Sequence, residues 1–141
     1  MSIFRQFQTD QDKETKIGVE VTYGPNDDGS IPTFTILRRG PSNQRYTKAL
    51  ERESAPYRRL LDLGTLDPKI QEKVMRRVFC TSVLIGWKNV KTAEGQEIAY
   101  NLENSLHLME QLPDLYYDLV QQADKAATFR NESLEGDAKN S

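Results

Sequence analysis

A strongly periodic segment that starts at Asp67-Pro68 and loses all charge from Val78 to Trp87 sets the plan of this chain. Aspartate can cap exposed amides and proline at the first helical position costs no hydrogen bond, so the pair predicts a helix start. Ile70, Val74, Val78, Thr81 and Ile85 then form one line at helical spacing, with Met75, Phe79 and Val83 alongside, an apolar face wider than about 100°. Lys69, Glu72, Lys73, Arg76 and Arg77 mark the wet side of the first half. The expectation is a central helix whose C-terminal half is surrounded by protein. Val78 to Trp87 is also the longest uncharged apolar run, far short of the roughly 20 residues that span a membrane. The N-terminus has no apolar core of the secretory kind. At 141 residues the chain has the size of one domain with a single core.

Upstream, Ile17, Val19, Val21 and Tyr23 alternate with Gly18, Glu20 and Thr22, the period of a strand with one buried face. Gly24-Pro25-Asn26-Asp27-Asp28-Gly29-Ser30 is dense in turn chemistry, and Thr33 to Leu37 is β-branched and aromatic. A β-hairpin follows. Two strands alone are marginal in water, so this hairpin must pack on helices, gain a third strand or pair with another copy. Gly40-Pro41-Ser42-Asn43 ends it and opens a helix with Tyr46, Ala49, Leu50, Tyr57, Leu60 and Leu61 on its apolar side. Pro56 predicts a kink or a division into two helices, with Gly64 as the stop. Lys91 to Gly95 reads as a turn and Gln96 to Tyr100 as a short extended segment. Asn101 caps a helix carrying Leu102, Leu106, Met109 and Leu112, and Pro113-Asp114 starts a last one through Leu115, Tyr116, Leu119, Val120, Ala123, Ala126 and Ala127. The predicted fold class is α+β, mainly α, with an N-terminal β-hairpin (16–39) packed on a bundle of four to five helices (42–130). Residues 1–15 are expected as a flexible arm, 16–130 as one domain and 131–141 as a disordered tail.

No reaction chemistry stands out. Cys80 is the only cysteine and sits among Val78, Phe79, Val83 and Leu84, the setting of a small buried hydrophobe. His107 is the only histidine and has no cysteine nearby to complete a metal site. Gly24 and Gly29 lie in an acidic turn that would repel phosphate. The expectation is a protein that is not an enzyme, with no cofactor and no metal. Charge is the second signal. Residues 1–37 hold three basic and six acidic side chains, 38–91 hold thirteen and five, and 92–141 hold three and ten, or about -3, +8 and -7 along the chain. Such asymmetry steers association, and a chain carrying both signs can be its own partner. Arg38-Arg39, Arg58-Arg59 and Arg76-Arg77 are basic doublets, but no nucleic-acid-binding motif accompanies them and the pI is near 5.5.

Leu84-Ile85-Gly86-Trp87, the turn at Glu94-Gly95, Tyr100 ahead of a helix ending Leu112-Pro113, and Phe129 follow one another in an order that resembles the tail assembly chaperones of long-tailed, siphovirus-like bacteriophages. Asn43, Tyr46 and Arg58-Arg59 extend the likeness upstream, to about Thr33. The resemblance implies a non-enzymatic helper in the host cytoplasm, absent from the finished virion, that coats the tape measure protein and recruits tail tube subunits. It also implies a longer form made by a programmed minus-one frameshift, with which Ala138-Lys139-Asn140 is compatible, and that form would carry the tail tube contact. On this reading Arg38, Arg39, Arg58, Arg59, Arg76 and Arg77 meet Glu94, Glu97, Glu103, Asp114 and Asp118 of a neighbouring copy, giving open or spiral assemblies. The alternatives are a small cytosolic regulator that binds nucleic acid through the arginine doublets, and a structural tail or connector protein.

Overall fold

The computed structural model describes residues 2–130, so the expected tail at 131–141 lies outside the described residues. The chain is a helix-dominated α+β fold in which one small antiparallel sheet, ordered β1-β2-β3, packs on helices. The hairpin strands are β1 (Val19–Thr22) and β2 (Thr33–Ile36), paired Val19 to Ile36 through Thr22 to Thr33. Gly18 holds the approach to β1 with φ +77°, and a Cβ there would lie 2.8 Å from the Ile36 carbonyl oxygen. Only glycine fits that contact.

Helix α3 (Gln44–Ser54) is capped by Asn43, whose side chain accepts from the Arg45 amide at 3.1 Å. Pro56 divides the segment as expected: a 3-10 turn at Ala55–Tyr57 leads into the short α4 (Arg58–Asp62). The central helix, α5 (Pro68–Ser82), begins with the Asp67 carboxylate accepting from the Lys69 amide at 2.9 Å. It does not continue to Trp87. After the single residue Val83 the chain becomes β3 (Leu84–Lys88), which pairs with β2 as Phe34 to Trp87 and Thr35 to Gly86. An uncharged apolar run reads alike as buried helix or buried strand, and the open edge of the hairpin decides between them by offering a ladder of unpaired backbone groups. The hairpin thus gains its third strand from within the chain. The last helices are α6 (Leu102–Gln111), capped by Asn101, and α7 (Pro113–Asp124), followed by a 3-10 turn at Ala126–Phe129.

The core gathers Phe34 and Ile36 from β2, Phe79 and Cys80 from α5, Val83 and Leu84 from the turn into β3, Leu108 and Met109 from α6, Leu119 and Ala123 from α7, and Phe129. Trp87 is half-buried against it, its ring edge-on to Phe34 and Tyr100, and its Nε1–H donates to the Ile98 carbonyl at 2.8 Å. The segment expected as an arm contains two short helices, α1 (Ile3–Phe7) and α2 (Gln11–Thr15). It is tied to the last described residues: the Asp10 amide donates to the Phe129 carbonyl at 2.7 Å, and Thr9 forms a bridge with Arg130.

Cys80 is buried, and burial pushes its thiol up to about 12 from 9.0. Because the folded state holds the proton more tightly, stability falls as pH rises above the ordinary thiol value. The folded protein should therefore resist a disulfide thiol reagent even at pH 9 and label promptly once denatured. Rapid native-state labelling, followed by absorbance, would contradict this burial.

Candidate protein-binding surface

The structure commits several of the expected contact residues to the chain itself. Arg38 and Arg39 follow β2, where consecutive backbone amides are stitched to three elements: Leu37 N–H donates to the Val83 carbonyl at 2.8 Å, Arg38 N–H to Glu14 at 2.9 Å and Arg39 N–H to Ala123 at 2.9 Å. Both side chains pair within the fold. The Arg38 guanidinium donates to the buried Glu14 carboxylate at 3.2 Å and to the Asp124 carbonyl at 3.1 Å, and lies 5.6 Å from the centre of the Phe129 ring. Arg39 holds Asp124 in a two-pronged pair at 2.7 Å each, which raises the guanidinium pKa further. Asp118 accepts from the Tyr23 hydroxyl at 2.5 Å, and burial followed by that bond raises the tyrosine pKa. Arg77 meets Glu53 at 3.1 Å.

The other candidates face outward. Arg58 and Arg59 are exposed on α4, and Glu94 and Glu97 on the turn after β3, where Glu97 forms an isolated backbone bridge with Lys91. Glu103 and Asp114 sit in the exposed first turns of α6 and α7. Lys91 itself pairs with Asp28 across a concavity of about 460 Å³ bounded also by Asp27 and Glu94, and this bond holds the Asp28 carboxyl well below its ordinary range. No group of three or more His, Cys, Asp or Glu among the described residues could hold a metal ion.

A different feature emerges between α5 and α7. Pro68, Gln71, Met75 and Arg76 from the first half of α5 face Tyr116 and Tyr117, enclosing a groove of about 360 Å³. The tyrosine doublet splits its duties. Tyr116 turns inward, edge-on to Phe79 at 5.4 Å, and burial pushes its phenol up to about 12, so it stays neutral at physiological pH. Tyr117 points out and is 54% exposed. On the neighbouring segment Leu60, Leu61, Leu63 and Ile70 are exposed, Leu63 by 64%, although Leu60, Leu61 and Ile70 were expected on buried faces. Residues 69–73 of α5 are exposed on every side. A short helix gains most of its stability from packing, so this projecting helical end is suited to gaining cover from another molecule. Helical spacing located these apolar residues but carried no signal that the core would end near Met75.

The fold and this surface define a small, mainly helical α+β protein with a partly apolar, partly charged exposed face. The chain belongs to the YdaY prophage protein family, which matches residues 41–140, so it is phage-derived. The match begins just after β2 and includes β3, α3 to α7 and the groove. No curated protein and no solved structure matches the chain. Among the described residues no helix is long and apolar enough to cross a membrane.

The two adjacent arginines should behave differently on removal. Arg38→Ala leaves the Glu14 carboxylate buried without its partner and should cost about 3 kcal/mol, whereas Arg39→Ala breaks a partly exposed pair and should cost about 1 kcal/mol or less. Urea denaturation of both variants checks the order.

Proposed function

We propose that this protein is a non-enzymatic assembly helper of the tail assembly chaperone type, acting in the host cytoplasm and absent from the finished virion. Its client is the tape measure protein, whose long helices need their apolar stripes covered until tail tube subunits polymerise around them. Prophage family membership and the order of sequence signals from Leu84 to Phe129 support the phage morphogenesis setting. The observation that carries the client-binding reading is the groove between α5 and α7, set beside an exposed helical end. Met75 and Tyr116 offer an apolar floor, Tyr117 an exposed aromatic wall, and Arg76 and Glu72 charged rims. That combination suits a helix docking by its apolar face, in which side chains three and four residues apart enter one groove. The tail tube contact is assigned to a longer form made by ribosomal slippage near Lys139.

Co-expression with the tape measure protein of the same genome should raise the client's soluble yield and give a complex on a sizing column. Met75→Asp together with Tyr117→Asp should abolish both effects while the circular dichroism spectrum stays unchanged. An unaltered yield with the wild-type protein would sink this reading.

A further inference from the structure

The sheet ends at β1, and no described strand pairs with its outer side. The Tyr23 amide donates to the Pro32 carbonyl at 3.1 Å, which continues the β1–β2 ladder and fixes its parity. In an antiparallel pair the backbone groups of alternate residues face the partner, so Val19 and Val21 point theirs at β2 while Glu20 and Thr22 point theirs away. Such an edge is a template for one more strand. It is also walled: Lys13, Gly18, Val19, Glu20, Thr128 and Arg130 are among the residues lining a slot of about 400 Å³ beside it. At one end Ile17 is 67% exposed, on the run that leads into half-buried Val19 and Val21.

Few groups set the electrical sign of this slot. Two of its lining charges are cations, Lys13 and Arg130, and the one carboxylate, Glu20, already meets Lys88 at 3.6 Å. Arg130 donates through Nε to the Gln6 carbonyl, a neutral partner that leaves its charge in place. Of the arm's carboxylates, Asp12 lies 3.9 Å from Lys16 and Glu14 lies 3.2 Å from Arg38.

We propose that the β1 edge takes an extended acidic segment of another protein as a fourth strand. The outward N–H and C=O groups of Glu20 and Thr22 recognise the partner's backbone whatever its sequence, and require it to be extended. Side chains on one face of the added strand cover Ile17 and Val19, and its carboxylates meet Lys13 and Arg130. The slot shares no residue with the α5–α7 groove, so this contact stands independently of the client read for that groove.

Amide hydrogen exchange of the full chain, followed residue by residue by NMR, tests this with a peptide of alternating valine and glutamate, about eight residues long so that it outreaches β1. At saturating peptide, exchange at Glu20 and Thr22 should slow by about tenfold, while Val19 and Val21, already bonded to β2, should not change. The valine–lysine counterpart, and a form with proline at its centre, should leave Glu20 and Thr22 as they are. Thr22→Pro removes only an outward amide, a substitution an edge strand tolerates, and should abolish the peptide's effect on Glu20 with the circular dichroism spectrum unchanged. If that variant misfolds, the two control peptides still decide. No protection at the highest soluble peptide concentration, or equal protection from the lysine or proline peptide, would overturn the proposal. So would Glu20 and Thr22 amides that are protected before peptide is added, whether by the chain's own residues at low concentration or, rising with protein concentration, by a second copy.

Discussion

Val83 is the only residue between a helix and a strand, and the arrangement of every other element depends on that short connection. With α5 and β3 so close in sequence, the helix must lie directly against the sheet it feeds, which forces Phe79 and Leu84 into one core with Phe34 and Ile36. A buried junction of this kind is stable only when its backbone groups are paired. Here they are: the Val83 amide donates to the Phe79 carbonyl at 2.9 Å, its carbonyl accepts from Leu37 at 2.8 Å, and the Ser82 carbonyl accepts from the buried Asn43 side chain at 3.0 Å. Asn43 also donates to the Arg38 carbonyl at 3.0 Å, so one amide side chain joins the end of β2, the start of α3 and the end of α5.

The same junction explains the asymmetry of α5. Its second half is held by α3, the sheet and α6, and the core ends where that cover ends. The first half and α4 therefore project, with apolar side chains left partly exposed to solvent. This exposed apolar end sits on an otherwise well-satisfied domain, where every buried polar side chain among the described residues has a partner. Charge then sorts the surface: Arg38 and Arg39 pair with Glu14 and Asp124 within the fold, and Arg58 and Arg59 face outward.

Much of the local structure was legible residue by residue. Asp67-Pro68, Asn43 and Asn101 start helices because capping is a contact within a few residues, and the hairpin followed from alternation around a dense turn. Of the candidate contact residues, Arg58, Arg59, Glu94, Glu103 and Asp114 are exposed, whereas Arg38, Arg39 and Asp118 are engaged by Glu14, Asp124 and Tyr23. Those partners lie 24, 85 and 95 positions away, a separation no periodic pattern encodes. The groove was hidden for a related reason, since Met75 and Tyr117 meet only when α5 and α7 are placed side by side.

By itself the amino-acid order determined the helix starts, the hairpin, the buried thiol and the separation of charge along the chain, because caps, turns and alternation act over a handful of residues. Only the tertiary structure decided that Leu84 to Lys88 is a strand, that α5 is half uncovered, and which arginines are spent internally. Each of these is a choice between two local states of similar free energy, and a distant element tips it: the open edge of β2, the limit of α6, and the carboxylates of Glu14 and Asp124.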